Sequence, residues 1–447
     1  STWFDGAKLN FAENLLKFRD DSIAVEYFCE DQIKGKITYS QLFERVNRCA
    51  LYLKSLGVKE GDRVAAFMPN IPEAIIAMLA TSSIGAVWSS CSPDFGIKGV
   101  LDRFTQIDPK VLFVSDGYFY KGKKIKLSSK IKQIRQALSS VSQTICVNLI
   151  GSSDIDNCIN WSNMPNSNDS IKFVQVPFAH PLYVMYSSGT TGKPKSIVHS
   201  VGGTLLQHLK ELVLHSDLKR SDKIFYFTTC GWMMWNWLVS SLAVGATLVL
   251  YDGNPFYPRN DSLLEIADSI GLSIFGTSAK YISFLEQNNI IPNKYSFKKL
   301  RLILSTGSPL IEENYDFVYD KWKHDVQLCS ISGGTDIISC FALGNPIKPV
   351  VKGKLQSLGL GMDVKSFDEN GKSLISDKGE LVCLTPFPSM PIYFFNDHNN
   401  LKYKSAYFDT YPNIWKHGDY ISIYEDGTVK IFGRSDTTLN PGGVRIG

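Results

Sequence analysis

The chain has 447 residues, 44% of them hydrophobic and 20% charged, with 47 basic against 43 acidic side chains and a formal net charge of +4. That length supports about three domains or subdomains, each able to bury its own core, and the near-neutral balance argues against a nucleic-acid binder, whose surface needs a clear basic excess. Cysteines stand singly between Cys29 and Cys383 with no CxxC pair, which predicts reduced thiols, a cytoplasmic compartment and no zinc cage.

Leu42, Val46, Ala50 and Leu53 recur at helical spacing and Gly57 follows, so residues 39–56 predict a helix and residues 63–68 the strand after it. Pro72 in a first turn and Gly85 past the end frame a second helix over 71–84, and 110–114 reads as the next strand. The alternation resumes after Pro181, with strands predicted at 182–185, 223–227, 247–250, 273–275 and 300–304 and helical segments between them. Residues 232–250 are nearly all apolar and long enough to imitate a membrane span. Asn236, Ser240, Ser241 and Gly245 interrupt the run, and β-branched composition begins at Thr247, so a buried helix followed by a core strand is the better reading. From about Val350 the texture changes: short strand patterns at 380–384 and 429–432 lie between the turn signals DENG, FPSMP and YEDG. The predicted class is α/β. Two subdomains, 1–180 and 181–349, carry mixed or parallel sheets flanked by helices, and a small β-barrel-like subdomain occupies 350–434.

The densest chemistry lies in YSSGTTGKPKSIVH, residues 186–199, directly after a predicted strand. Glycines let the backbone turn sharply and present N–H groups to an anion, hydroxyls add donors, and Lys193 and Lys195 supply charge, so the segment suits phosphate. It is not a Walker loop. That motif needs four residues between its glycines and Ser or Thr after its lysine, whereas two threonines separate Gly189 from Gly192 and Pro194 follows Lys193. The seven histidines show no metal-ligand spacing.

At these residues the chain resembles the AMP-forming acyl-CoA synthetases of the adenylate-forming superfamily, whose signature loop reads like SSGTTGKPK. WFDGAKLNFAENLL at 3–16 is similar to the amino-terminal signature of the acetyl-CoA synthetase branch, and SCSPDFG at 90–96 and TTCGWMMWNW at 228–237 resemble its acetoacetate-activating members. The resemblance implies the large amino-terminal domain of that fold, with residues 435–447 as the hinge to a carboxy-terminal domain outside this sequence. It also implies ATP, Mg2+ and CoA as the reacting partners, with small-molecule substrates, no nucleic acid, no membrane and a monomer. Ser187, Ser188, Gly189, Thr190, Thr191, Gly192 and Lys195 would hold the β and γ phosphates by charge stabilisation. Thr335 and Asp336 match the acidic element that helps bind magnesium. Asp stands where the family has Glu, one methylene shorter, which makes a contact through water the expectation.

By the same resemblance Gly307, Ser308 and Pro309 frame the adenine, Asp419 binds the ribose hydroxyls as an acceptor for two donors, Arg434 contacts ribose and α-phosphate, and Asp436 is the hinge residue. The acyl pocket maps to Trp232, Met233, Met234, Asn236, Thr306 and Gly333. Glycine at 333, where the acetyl-specific enzymes have tryptophan, predicts room for a longer acid, and Asn236 offers donor and acceptor groups for a keto oxygen. Lys121 and Lys123 align with a segment that touches the CoA nucleotide, while the rest of the basic run 121–135 reads as a solvated face. Synthetases for another short acid, such as butyrate, 3-hydroxybutyrate or propionate, remain open on sequence, as does a nucleotide-binding module without turnover.

Overall fold

The computed structural model describes residues 2–152, 155–187 and 192–436. Local signals start its first long helices. The Thr38 hydroxyl accepts the Gln41 N–H and the Gln41 side chain accepts the Thr38 N–H, a reciprocal cap that satisfies donors a helix end leaves unpaired and opens the helix Tyr39–Ser55. Pro72 sits at the first position of the helix Pro72–Ser83, which is buried almost all round, as expected of a helix with apolar residues on every face.

Two large sheets follow. In the first, the strands Ile159–Asn160, Gln143–Val147, Val111–Ser115, Arg63–Phe67, Val87–Cys91 and Pro181–Ser187 run parallel in that spatial order, and Lys195–Ser200 and Tyr393–Phe394 complete it antiparallel. In the second, Gln327–Ser330, Leu302–Thr306, Ile274–Ser278, Lys223–Tyr226, Thr247–Asp252 and Ile23–Cys29 are parallel neighbours, edged by antiparallel Ile33–Thr38. Both sheets therefore collect strands distant in sequence. One continuous core joins them: Val64, Trp88 and Phe113 of the first and Leu248, Ile274 and Leu302 of the second belong to the same buried cluster as Ile75 and Leu79 of the helix Pro72–Ser83.

The apolar run 232–250 folds as a helix and a core strand. Met233–Val239 is α-helical, Ser240–Val244 tightens to a 3-10 turn, Gly245 takes a left-handed conformation, and Thr247–Asp252 enters the second sheet. Among the described residues no helix is long and apolar enough to cross a membrane. The β-rich end is a five-stranded antiparallel sheet in the order Ser373–Leu374, Val364–Phe367, Gly379–Cys383, Trp415–Ile423 and Val429–Arg434. All nine cysteines are free thiols.

Candidate active site

A cavity of about 1030 Å3 opens where strands of both large sheets end. Ser187, Ser278, Thr306 and Ser330 line it, and each is the last residue of its strand. Side chains at the carboxyl ends of parallel strands point past the sheet into the crevice where α/β proteins take their ligands. Gly333–Thr335 and Ser339–Cys340 also line it, and the antiparallel sheet contributes Asp419 and Arg434.

Asp419 and Arg434 are register partners on neighbouring strands. Arg434 Nη1 donates to Asp419 Oδ1 at 3.1 Å, while its Nε donates to Asp436 Oδ1 at 3.1 Å and its Nη2 bonds the other Asp436 oxygen. Burial opposes the arginine charge, but the Asp436 bonds and the Asp419 charge outweigh it and raise the Arg434 pKa. A guanidinium held on two sides by carboxylates is a fixed fork with little orientational freedom.

Lys195, at the start of the strand Lys195–Ser200, donates through Nζ to Asp336 Oδ1 at 3.2 Å, and the Tyr407 hydroxyl donates to the same oxygen at 2.6 Å. Asp336 is only 1% exposed. Thr335 lines the cavity, and Asp336 stands behind it. The lysine ammonium also lies 5.3 Å from the Tyr407 ring centroid and 5.6 Å from that of Phe394, within cation–π range. Tyr407 is itself stacked on Trp415 at 3.8 Å, so its hydroxyl is aimed by a rigid ring.

Trp232, Met233, Met234, Thr306 and Gly333 all line the cavity, and the Thr306 hydroxyl donates to the Ile331 carbonyl at 2.8 Å. Gly333 differs from the expectation of vacant space. A Cβ there would meet the Ser339 carbonyl oxygen at 1.9 Å and Cys340 Cα at 2.5 Å, because the short strand Ser332–Gly334 pairs closely with Ser339–Leu343. The glycine is required by the close approach of the backbone at 339–340. Asn236 is fully buried and does not line the cavity, and its side chain interacts with that of Tyr183, equally buried.

A model of the AMP-binding enzyme family matches residues 11–394. The chain belongs to that family. An acetoacetyl-coenzyme A synthetase of Rhizobium meliloti (strain 1021) is 50% identical over 453 residues, covering 100% of this chain and 69% of the relative. An acetoacetyl-CoA synthetase of Gallus gallus is 46% identical over 463 residues, with 100% of this chain and 69% of the relative covered. Among solved structures, acetoacetyl-CoA synthetase from Streptomyces lividans superposes with a TM-score of 0.94 at 44% identity, covering 100% of this chain and 70% of that one.

Gly307, Ser308 and Pro309 line the cavity directly after the strand Leu302–Thr306, with Gly307 at φ +97°, a backbone conformation that favours glycine. Ser187 is buried and its hydroxyl has no partner among the described residues. Gly192 is exposed, whereas Ser188, Gly189, Thr190 and Thr191 lie outside the described residues. Asp436 lines the cavity beside Arg434.

Lys121 and Lys123 are exposed on the hairpin of Gly117–Tyr120 and Lys123–Lys126, apart from the cavity lining. Glu30 fixes that hairpin, accepting the backbone N–H groups of Lys121 and Gly122 at 2.7 Å each and of Asn254 at 2.9 Å. Nearby, Lys130 Nζ donates to the carbonyls of Pro93 and Phe95 at 3.0 and 3.2 Å, which ties the basic helix to the turn whose Asp94 and Phe95 line the cavity.

Sequence reasoning missed three features. Arg103 lines the cavity with its guanidinium 4.5 Å from the Phe95 ring centroid and 5.7 Å from that of Tyr186. A single arginine in an ordinary amphipathic helix carries no signal of that. Tyr407 had a weak one, the i, i+4 aromatic pair with Tyr403 on the short helix Leu401–Phe408. Buried polar side chains on the segment 201–215 were readable, since Gln207, His208, Glu211 and His215 interrupt an apolar helix at spacings that share a face.

Proposed function

We propose that this chain activates acetoacetate with ATP and passes it to CoA, releasing AMP and pyrophosphate. A carboxylate oxygen attacks the α-phosphorus, the bond from that phosphorus to the bridging oxygen breaks, and pyrophosphate leaves with the electron pair. The CoA thiolate then attacks the acyl carbon of the mixed anhydride and AMP departs. The observation that carries this reading is that one cavity is lined both by the acceptor and guanidinium pair Asp419 and Arg434 and by the apolar wall Trp232–Met234 with Thr306.

Asp419 orients ribose hydroxyls, and Arg434, locked between two carboxylates, meets charge developing at the α-phosphate without reorganising. Lys195 and the loop from Ser187 to Gly192 hold the outgoing phosphates, and Thr190 donates there. Gly307, Ser308 and Pro309 frame the purine. Magnesium, when bound with ATP, neutralises charge on the phosphate oxygens; the oxygen donors Thr335 and, through water, Asp336 are the residues that would hold it, a donor set that suits a hard cation. Lys121 and Lys123 meet the phosphates of CoA, and Asp436 serves as the hinge. Trp232, Met233, Met234 and Thr306 surround the acid, Gly333 lets the floor approach, and Asn236 acts from behind that wall.

The test is acid-dependent pyrophosphate release by the full-length protein with ATP, magnesium and CoA, across acetate, propionate, butyrate, 3-hydroxybutyrate and acetoacetate. The expected result is a clear lead for acetoacetate. A broad or butyrate-led profile refutes the keto-acid assignment, and no pyrophosphate with any acid refutes ligation.

A further inference from the structure

The backbone at 335–344, which contributes Thr335, Ser339 and Cys340 to the cavity lining, is held by side chains of the segment 201–215. His208 Nε2 lies 2.6 Å from the Ile338 carbonyl and His215 Nδ1 2.8 Å from that of Gly344, so both nitrogens carry the proton. The opposite nitrogen of His208 accepts from the Ser240 hydroxyl at 2.7 Å, and that of His215 accepts the Leu360 N–H at 3.1 Å. Each ring is a neutral tautomer fixed by two partners, and burial keeps His208 neutral by lowering its pKa to about 4.

Between them stands Glu211, with no exposed surface. Its Oε1 accepts the Cys340 backbone N–H at 2.9 Å and the Gln207 amide at 2.9 Å, and its Oε2 accepts the Trp237 indole N–H at 2.9 Å. All three partners donate, the arrangement that a buried carboxylate requires. Two of them belong to different segments that line the candidate acid site. Cys340 lines the cavity, and Trp237 lies on the helix Met233–Val239, whose first two residues line it as well. Glu211 also sits in the stretch Lys210–His215, where the helix widens to π geometry, a departure that commonly accompanies function.

The held segment is strained. Ile338, a β-branched residue, takes φ +50°, a conformation costly for such side chains that persists only where the surroundings over-determine it. Its carbonyl is the one His208 holds, and two residues on, Cys340 N–H is the one Glu211 holds.

We propose that Glu211 is a positioning residue for acid specificity: it bolts the cavity lining at Cys340 to the helix carrying Met233 and Met234, and so sets the dimensions of the acid site without touching the acid. This rests on the cavity being the acid site, as proposed above, but not on which acid is preferred. Glu211→Gln keeps the shape and turns one acceptor into a donor, which opposes either the indole N–H or the Cys340 N–H. Trp237→Phe removes a single donor and keeps the aromatic packing.

The experiment measures kcat/KM for the acid panel by pyrophosphate release, and KM for ATP, in the parent and both variants of the full-length protein, with the parent's own best acid as reference. Glu211→Gln is expected to lower kcat/KM for that acid roughly ten-fold, as loss of a buried charged hydrogen bond implies, to narrow the ratio between four-carbon and two-carbon acids, and to leave KM for ATP within about two-fold. Trp237→Phe should move the same ratio in the same direction by less. An equal fall for every acid, or a KM for ATP that rises with it, overturns the proposal and leaves Glu211 a general structural residue. If Glu211→Gln does not yield folded protein, Trp237→Phe decides by the same criterion. A parent without a lead for acetoacetate overturns the substrate assignment alone, because the ratio in the variants is read against whichever acid leads.

Discussion

Gly333→Ala separates two accounts of the acid site. If the glycine merely left open space, one methyl group would shorten the site and shift preference toward smaller acids with little effect on stability. The structure predicts otherwise. The added Cβ would lie 1.9 Å from the Ser339 carbonyl oxygen and 2.7 Å from its carbonyl carbon, both backbone atoms. Reaching ordinary contact, about 3.4 Å, demands a displacement of roughly 1.5 Å at Ser339, and the next residue, Cys340, would drag its N–H from Glu211, now 2.9 Å away. Overpacking of this kind costs about 1–3 kcal/mol, and loss of a hydrogen bond to a buried carboxylate adds about 1.5–3 kcal/mol. A destabilisation of about 3–5 kcal/mol is a large part of the total stability of a folded chain, typically about 5–15 kcal/mol. Urea unfolding and the acid panel should be run on the same preparations. The expected outcome is a sharply lowered unfolding midpoint together with lost turnover of every acid. An alanine variant as stable as the parent and newly selective for acetate or propionate would show that the strands Ser332–Gly334 and Ser339–Leu343 give way easily, and the reasoning from close approach would be wrong.

Tyr407→Phe removes one of the two donors on Asp336 Oδ1 while keeping the ring stacked on Trp415. ATP–pyrophosphate exchange should fall about ten-fold as Lys195 and Asp336 lose their common anchor, and an unchanged exchange rate would remove Tyr407 from the site. Asp252 gives a pH signature. Burial, together with the charges of Asp94 and Glu30, outweighs the Asn70 N–H that its carboxylate accepts at 2.8 Å and raises its pKa from 3.8 to about 7. The folded state then binds one proton more than the unfolded state between about pH 4 and pH 7, so its stability falls as pH rises through that window. Asp252→Asn should lack this slope and exceed the parent by about 1–2 kcal/mol at pH 8, a figure reduced for partial solvent access. Urea midpoints from pH 5 to pH 8 that run parallel for parent and variant would refute it.

The fold was legible where local rules and burial agree. Pro72 and Gly85 mark the helix Pro72–Ser83 within a residue or two, and Thr247 marks where the apolar run becomes a strand. Strand order was not legible. Ile23–Cys29 pairs with Thr247–Asp252, and Pro181–Ser187 pairs with Val87–Cys91, contacts that no local periodicity encodes. Among the candidate site residues, Lys195 stands in a dense polar motif that is readable by itself, whereas Thr335, Asp419 and Arg434 were legible through the family resemblance, Asp419 lying in the middle of the strand Trp415–Ile423. At Gly333, vacant space and close backbone approach both call for glycine, and only the position of the facing strand shows the close approach. Tyr407 and Glu211 act through another residue, and a side chain whose partner is remote in sequence looks like any other helical tyrosine or glutamate.

The two classes of residue fail differently when altered, and that difference explains why the site needs the long-range strand order. Asp419 and Arg434 are neighbours on adjacent strands and bring their geometry with them. Asp336 does not: its oxygen is fixed by Lys195, 141 residues earlier, and by Tyr407, 71 residues later. Lys195 begins the strand that pairs with Tyr393–Phe394 at the edge of the first sheet, and Tyr407 rests on Trp415 of the antiparallel sheet. The carboxylate thus sits where those two sheets meet. Glu211 does the same work deeper in the wall, joining the helix Met233–Val239 to the strand Ser339–Leu343. A local change such as Tyr407→Phe should therefore loosen one junction while each sheet keeps its own hydrogen bonds, so activity and global stability should separate in that variant. Gly333→Ala forces a strand itself to move, and there the two should fall together.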